Sequence, residues 1–161
     1  MSLDQAAVVR HYKQLCVTME LPFDKVILSA GAAMVMLGLR KYTNDLDVDV
    51  PKEFFEKHKE RKGAKLGLTG ELVMWDGMVD IHPLPDDFTR TDLMDHMGIW
   101  IYHPTALIKQ KEKMIAHPDR KPEKIPQDRK DIIALKEFID AVNHMRSRIE
   151  GAGYTLQKEK V

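Results

Sequence analysis

The spacing of apolar residues changes period several times along the chain, and each change predicts an element. From about residue 4 to residue 20, Ala7, Val8, Tyr12, Leu15, Cys16 and Met19 recur at three- and four-residue intervals, which predicts an amphipathic helix. Residues 21–24 hold a proline and predict a turn. "KVILSA" then reads as a short apolar strand that runs straight into Gly31, and "AAMVMLGL" as a short buried helix ending near Gly38. After the polar turn "RKYTN", the segment "DLDVDV" alternates strictly between acid and branched apolar residue, which predicts a strand. Pro51 stops it, and "KEFFEKHKERK" reads as an amphipathic helix. Further on, "ELVMW" and "MVDIHPL" predict two strands joined at "DG" as a hairpin, and "GIWIY" a further strand. His103-Pro104 opens a helix, "TALIKQKEKMIA", and a polar loop leads to a last helix from about 127 to 149. The tail, 151–161, has no periodicity and is expected to be flexible.

Helices alternating with strands, with a hairpin between, predict an α/β (α+β) fold. Its centre is a mixed sheet flanked by helices, followed by C-terminal helices. One domain is expected over residues 1–150, with the sheet core at about 25–102 and the C-terminal helices at about 104–149. A length of 161 residues suits one domain with a substantial core. Zero formal net charge argues against a surface devoted wholly to nucleic acid or membrane, while leaving room for a local patch. The single cysteine, Cys16, excludes an internal disulfide framework. With no run of membrane-spanning length and no signal-peptide apolar core, the expectation is a soluble cytoplasmic protein without a membrane partner.

Asp45, Asp47 and Asp49 carry the chemistry, and two readings of them compete. A calcium loop would place Asp45, Asp47, Asp49 and Glu56 at ligand positions one, three, five and twelve. It would also put Val50 where the loop needs glycine's left-handed backbone, and Pro51 next to it. A strand instead turns all three acids to one face and Leu46, Val48 and Val50 to the core. Carboxylates gathered on one face repel and call for a cation, with magnesium (or manganese) the natural partner of acids and substrate phosphates. A solvent-facing edge strand is the bland alternative. Two features weigh against it. Gly31 lies in a strand–turn–helix segment, "SAGAA", of a kind that offers backbone N–H groups to phosphate, although small residues also serve close packing. Asp80 in "MVDIHPL" brings another acid from another strand, as a two-metal clamp at phosphorus requires.

In this order the pieces "SAGAA", "NDLDVDV" and "MVDIHPL" resemble the nucleotidyltransferase superfamily, the DNA polymerase beta-like fold, in its minimal abortive-infection toxin-type and small antibiotic adenylyltransferase-like forms. The resemblance covers about residues 25–84 and extends more weakly through "LIKQKEKM" and "DRKDIIAL". It implies that Asp45 and Asp47 hold two magnesium ions, and that Asp80 helps hold the acceptor-side ion or acts as base. It implies contacts to a nucleoside triphosphate from Ser29, Gly31, Ala32, Arg40, Thr43 and Lys111, with Asp49 and His82 as further candidates. The implied reaction moves NMP from an NTP to a hydroxyl or phosphate acceptor, a small molecule or RNA, and releases pyrophosphate. The chain departs from the pattern at Ala30, in place of the usual first glycine, and at Ala32, in place of a hydroxyl residue. Other D-x-D enzymes, phosphotransferases or glycosyltransferases, and a non-catalytic nucleotide-binding module are the competing readings.

Residues 109–130 hold eight basic and four acidic side chains, an excess that suits a triphosphate or a nucleic-acid backbone as well as a solvated face. Lys109, Lys111 and Lys113 are read as lying on the flanks of a stripe formed by Leu107, Ile108, Met114 and Ile115. His82 is read as pointing to the opposite strand face from Asp80, as a core histidine. Trp75, Trp100 and Tyr102 could stack a base, though strand aromatics more often fill a core. The ten methionines read as core filling, and Cys16 as buried and inert.

Overall fold

The structure, a computed structural model, describes residues 2–67 and 69–153. The chain divides into two compact units, Met1–Tyr102 and His103–Val161. Among the described residues no helix is long and apolar enough to cross a membrane.

The first unit opens with α1 (Gln5–Met19), which buries Val8, Tyr12, Leu15, Cys16 and Met19 as its spacing predicts. Asp4 caps it by accepting the Ala7 N–H at 2.9 Å, a bond of the kind worth about 1 kcal/mol. A 3-10 turn follows Pro22. Then come β1 (Ile27–Leu28), α2 (Ala30–Met36), β2 (Leu46–Val50), α3 (Lys52–Lys59), β3 (Lys65–Leu66), β4 (Leu72–Met74), β5 (Val79–Pro83), β6 (Leu93–His96) and β7 (Ile99–Tyr102). They form one mixed sheet in the order β3-β4-β5-β2-β1-β7-β6. The pairs β2–β5 and β1–β7 are parallel and the others antiparallel. Helix α1 packs on α2, α2 on β2 and α3 on β5.

Period-two alternation sets the core. Leu46 pairs with Val79 and Val48 with Ile81, while Leu28 pairs with both Val48 and Ile101. All six are buried. The strand over 46–50 excludes the calcium loop, because its third proposed ligand, Asp49, is buried within a ladder. The predicted "DG" hairpin exists, but its connection takes four residues, 75–78, with Trp75, Asp76 and Gly77 all at positive φ. Two strands escaped the sequence reading: the two-residue β3, and β6, joined to β7 through Met97 and Gly98 at φ 57° and 80°.

The second unit contains α4 (Pro104–Ala116), a 3-10 turn over Pro122–Lys124 and α5 (Ile125–Gly151), and α4 packs along α5. The imidazole of His103 caps α4 by accepting the Thr105 N–H at 3.2 Å. Helix α5 continues through Gly151, so the expected flexible tail does not begin there. Residues 154–161 lie outside the described residues.

Methionine is not uniformly core filling: Met19, Met34 and Met36 are buried, whereas Met97, Met114 and Met145 are exposed. Ile81 is fully buried between β2 and β4. Ile81→Ala is therefore expected to cost about 2–5 kcal/mol. Urea denaturation should show a lower midpoint at unchanged slope, and an unchanged midpoint would contradict this packing.

Candidate functional site

Parallel pairing of β2 with β5 places Asp47 directly beside Asp80, and Asp49 beside His82. Both aspartates of the first pair are half-buried, each with a side chain already engaged in an interaction. Asp45 immediately precedes β2, in a bend, and is also half-buried. Of the three acids expected to act together, Asp47 and Asp80 thus come to one face of one strand pair, and Asp45 lies just before β2. His82 requires correction. Two residues from Asp80 on the same strand, it shares that residue's face rather than opposing it, and it is half-buried rather than core.

The turn before α2 faces the loop before β2. A methyl group added at Gly31 would lie 2.5 Å from Thr43 Oγ1 and 2.9 Å from Arg40 Nη1. Gly31, Arg40 and Thr43, singled out from sequence as phosphate contacts, are therefore neighbours, and only glycine permits the approach. Thr43 donates to the Asp45 carbonyl at 3.2 Å, and its backbone exchanges two bonds with Leu3, at 2.7 and 3.0 Å. Ser29 is buried at the N-cap position of α2 and makes no side-chain capping bond; its N–H donates to the Asp47 carbonyl at 3.0 Å. Ala32 is fully buried in α2, so its side chain offers nothing to a ligand. Ala30 stands at φ 48°, in the left-handed region glycine favours.

Asp49 sits deeper than the other acids, 8% exposed, and accepts a hydrogen bond from the Tyr102 hydroxyl. Burial pushes its carboxyl up to about 7, against a smaller downward pull from that bond. Tyr102 is buried, so it is a partner of Asp49 and not a surface for a base. Sequence reasoning missed this pair. The aromatic was read as core, and nothing local ties residue 49 to residue 102.

Lys111 does not lie on a solvated flank. It falls on the buried stripe of α4 with Pro104, Leu107 and Ile108, and is 5% exposed. Its Nζ lies 2.8 Å from Asp131 Oδ2 and 3.9 Å from Asp128 Oδ1. Arg120 grips Asp128 through two bonds, at 2.7 and 2.9 Å, and Gln127 donates to Asp131 at 2.8 Å. These charges serve the α4–α5 packing. Trp100, half-exposed, has the Arg90 guanidinium 5.5 Å from its ring centre, and Trp75 lies in the β4–β5 turn, 6.0 Å from His11 between ring centres. Cys16 is buried, and burial pushes its thiol up to about 11, which makes it inert as a nucleophile at neutral pH.

Carboxylate oxygens from adjacent strands are the donor chemistry a hard divalent cation takes. Among the described residues no three His, Cys, Asp or Glu side chains form a ready metal cage. Magnesium does not need one, because one or two carboxylates, water and substrate phosphates commonly hold it. The Asp47–Asp80 pair with Asp45 alongside fits that requirement.

Two predictions follow from the buried charges. Folding holds the proton on Asp49 more tightly than the unfolded chain does, so this group's contribution is fully present below about pH 4 and is lost as pH rises to about 7. Asp49→Asn lacks that loss. Its stability relative to the parent should rise by about 2–3 kcal/mol between pH 5 and pH 8 in chemical denaturation, and a pH-independent difference would refute the shift. Lys111→Met leaves Asp131 buried without its cation and should cost about 3–5 kcal/mol in the same measurement.

The chain matches no protein-family model, no curated protein and no solved structure, so a functional reading rests on this geometry.

Proposed function

We propose that the protein is a cytoplasmic, divalent-metal-dependent nucleotidyltransferase that moves NMP from an NTP, such as ATP, to a hydroxyl or phosphate acceptor on a small molecule or RNA. The observation that carries this reading is the register of β2 on β5, which sets Asp47 beside Asp80, with Asp45 just before β2. The close approach of Arg40 and Thr43 to Gly31 supports it from the phosphate side.

In this reading an acceptor oxygen attacks the α-phosphorus, the α–β phosphoanhydride bond breaks, and pyrophosphate leaves. Asp45, Asp47 and Asp80 would hold magnesium or manganese. When bound, the ions supply charge neutralisation at the triphosphate and lower the pKa of the attacking hydroxyl. Arg40, whose guanidinium packs beside Gly31, would contribute a charge that does not titrate. Asp80 takes the acceptor proton or orients the acceptor hydroxyl. Asp49, engaged by Tyr102, closes the inner end of the acid row and stays outside the metal set. Lys111, buried in its ion pairs, is not part of the phosphate site in this reading.

The experiment is incubation with each labelled NTP, magnesium or manganese, and pools of metabolites and tRNA, followed by mass analysis of the adduct. An adduct heavier by one NMP, with pyrophosphate released, is expected. Release of a nucleoside diphosphate would point to a phospho- or glycosyltransferase instead. Asp47→Asn should lower the rate by about 10²-fold or more. Full activity in Asp45→Asn and Asp47→Asn would rule the mechanism out.

A further inference from the structure

Arg40, Lys41 and Tyr42 lie on the loop between α2 and β2. Tyr42 is 58% exposed, an unusual position for a large ring, and Lys41 beside it is exposed as well. Both line a cleft of about 410 Å³ whose other walls include Asp4, Gln5 and Val35. That volume lies within the roughly 300–1,000 Å³ of ligand clefts.

The loop is fixed at both ends. Leu39 N–H bonds the Met34 carbonyl at 2.9 Å, and Thr43 is tied to Leu3 by two backbone bonds. The exposed ring is thus presented on a held backbone, which lowers the ordering cost of binding. Arg40 belongs to the cleft and to the site together, since it lines the cleft while its guanidinium borders Gly31.

A flat aromatic face with a lysine beside it is the chemistry that takes a base and its phosphate. Two cations in a neutral chain are too few for a duplex, which requires many phosphate contacts. We propose that this cleft binds one nucleotide unit, its base stacked on Tyr42 and its phosphate on Lys41. The unit belongs either to the end of a single-stranded RNA acceptor or to the NTP itself. The link to catalysis rests on the nucleotidyltransferase reading, whereas the binding does not.

The test uses the full chain in two arms. One measures fluorescence anisotropy of an end-labelled single-stranded RNA oligonucleotide in EDTA, where no transfer occurs. The other measures ATP binding by calorimetry with magnesium and no acceptor. Tyr42→Ala should weaken binding about tenfold or more, and Tyr42→Phe should retain it, because stacking needs the ring and not the hydroxyl. Lys41→Ala should weaken RNA binding and lower its salt-dependence slope by about 0.7. A loss in the RNA arm assigns the cleft to the acceptor, and a loss confined to the ATP arm assigns it to the donor base. Either supports the proposal. Binding unchanged in both arms, with wild-type thermal melts, overturns it, as does a parent protein that binds neither probe. Asp45→Asn/Asp47→Asn should still bind RNA in EDTA, so failure of the catalytic reading would leave this result intact and recognisable.

Discussion

Two parallel strands in one register, β2 on β5, settle together where the core lies and where the carboxylates lie. Side chains alternate with period two, so the pairing that stacks Leu46 on Val79 and Val48 on Ile81 also sets Asp47 beside Asp80. Slipping one residue would turn those apolar side chains to the polar face and drive the acids into the core. Each fully buried aliphatic contributes about 1.5–3 kcal/mol. Two like charges about 4 Å apart repel by about 1–4 kcal/mol in the range from water to a protein surface. Four such side chains outweigh one such repulsion, so core packing suffices to set Asp47 beside Asp80.

Charge is handled differently at the two buried sites. Asp49, at the inner end of the row, accepts a hydrogen bond from a phenol, and burial raises its carboxyl until it is half-protonated near neutrality. Asp128 and Asp131 are as buried, yet Arg120 and Lys111 meet them directly. The third aspartate of the alternating segment is therefore the odd member. It shares the face of Asp47 by periodicity but belongs to the packing around Tyr102.

Most of the sheet core was legible because it is local. Alternation over residues 45–50 and helical spacing in α1 and α2 are readable from a dozen residues at a time. The acids of the site were legible for the same reason. What escaped depends on partners far along the chain. The Asp49–Tyr102 bond spans 53 positions. Strand β6 was hidden because its turn begins with Met97 at a left-handed position, where asparagine, aspartate or glycine is the usual signal. Lys111 carried a readable sign that was passed over: it lies three residues after Ile108 and four before Ile115, on the apolar stripe. A lysine there demands a buried acid, and Asp128 and Asp131 supply it from the facing helix. His82 was misplaced by parity alone, since two residues from Asp80 means the same face.

Ala30 shows the same division between local preference and tertiary demand. In the resembled pattern glycine stands at this position, and alanine there reads as a departure. The backbone nonetheless takes φ 48°, which costs an L-residue about 1–2 kcal/mol. The neighbouring bonds impose it: Ser29 N–H is held by the Asp47 carbonyl at 3.0 Å, and the Ser29 carbonyl accepts the Ala33 N–H at 3.2 Å. One bond ties the turn to the acid strand and the other starts α2, so the chain must reverse within a single residue. Ala30 therefore takes a backbone that glycine would adopt without strain. Gly31 has no such latitude, because Thr43 and Arg40 fill the space its side chain would take. Of these two adjacent positions, residue 30 accommodates a side chain at a left-handed backbone, and residue 31 does not accommodate one.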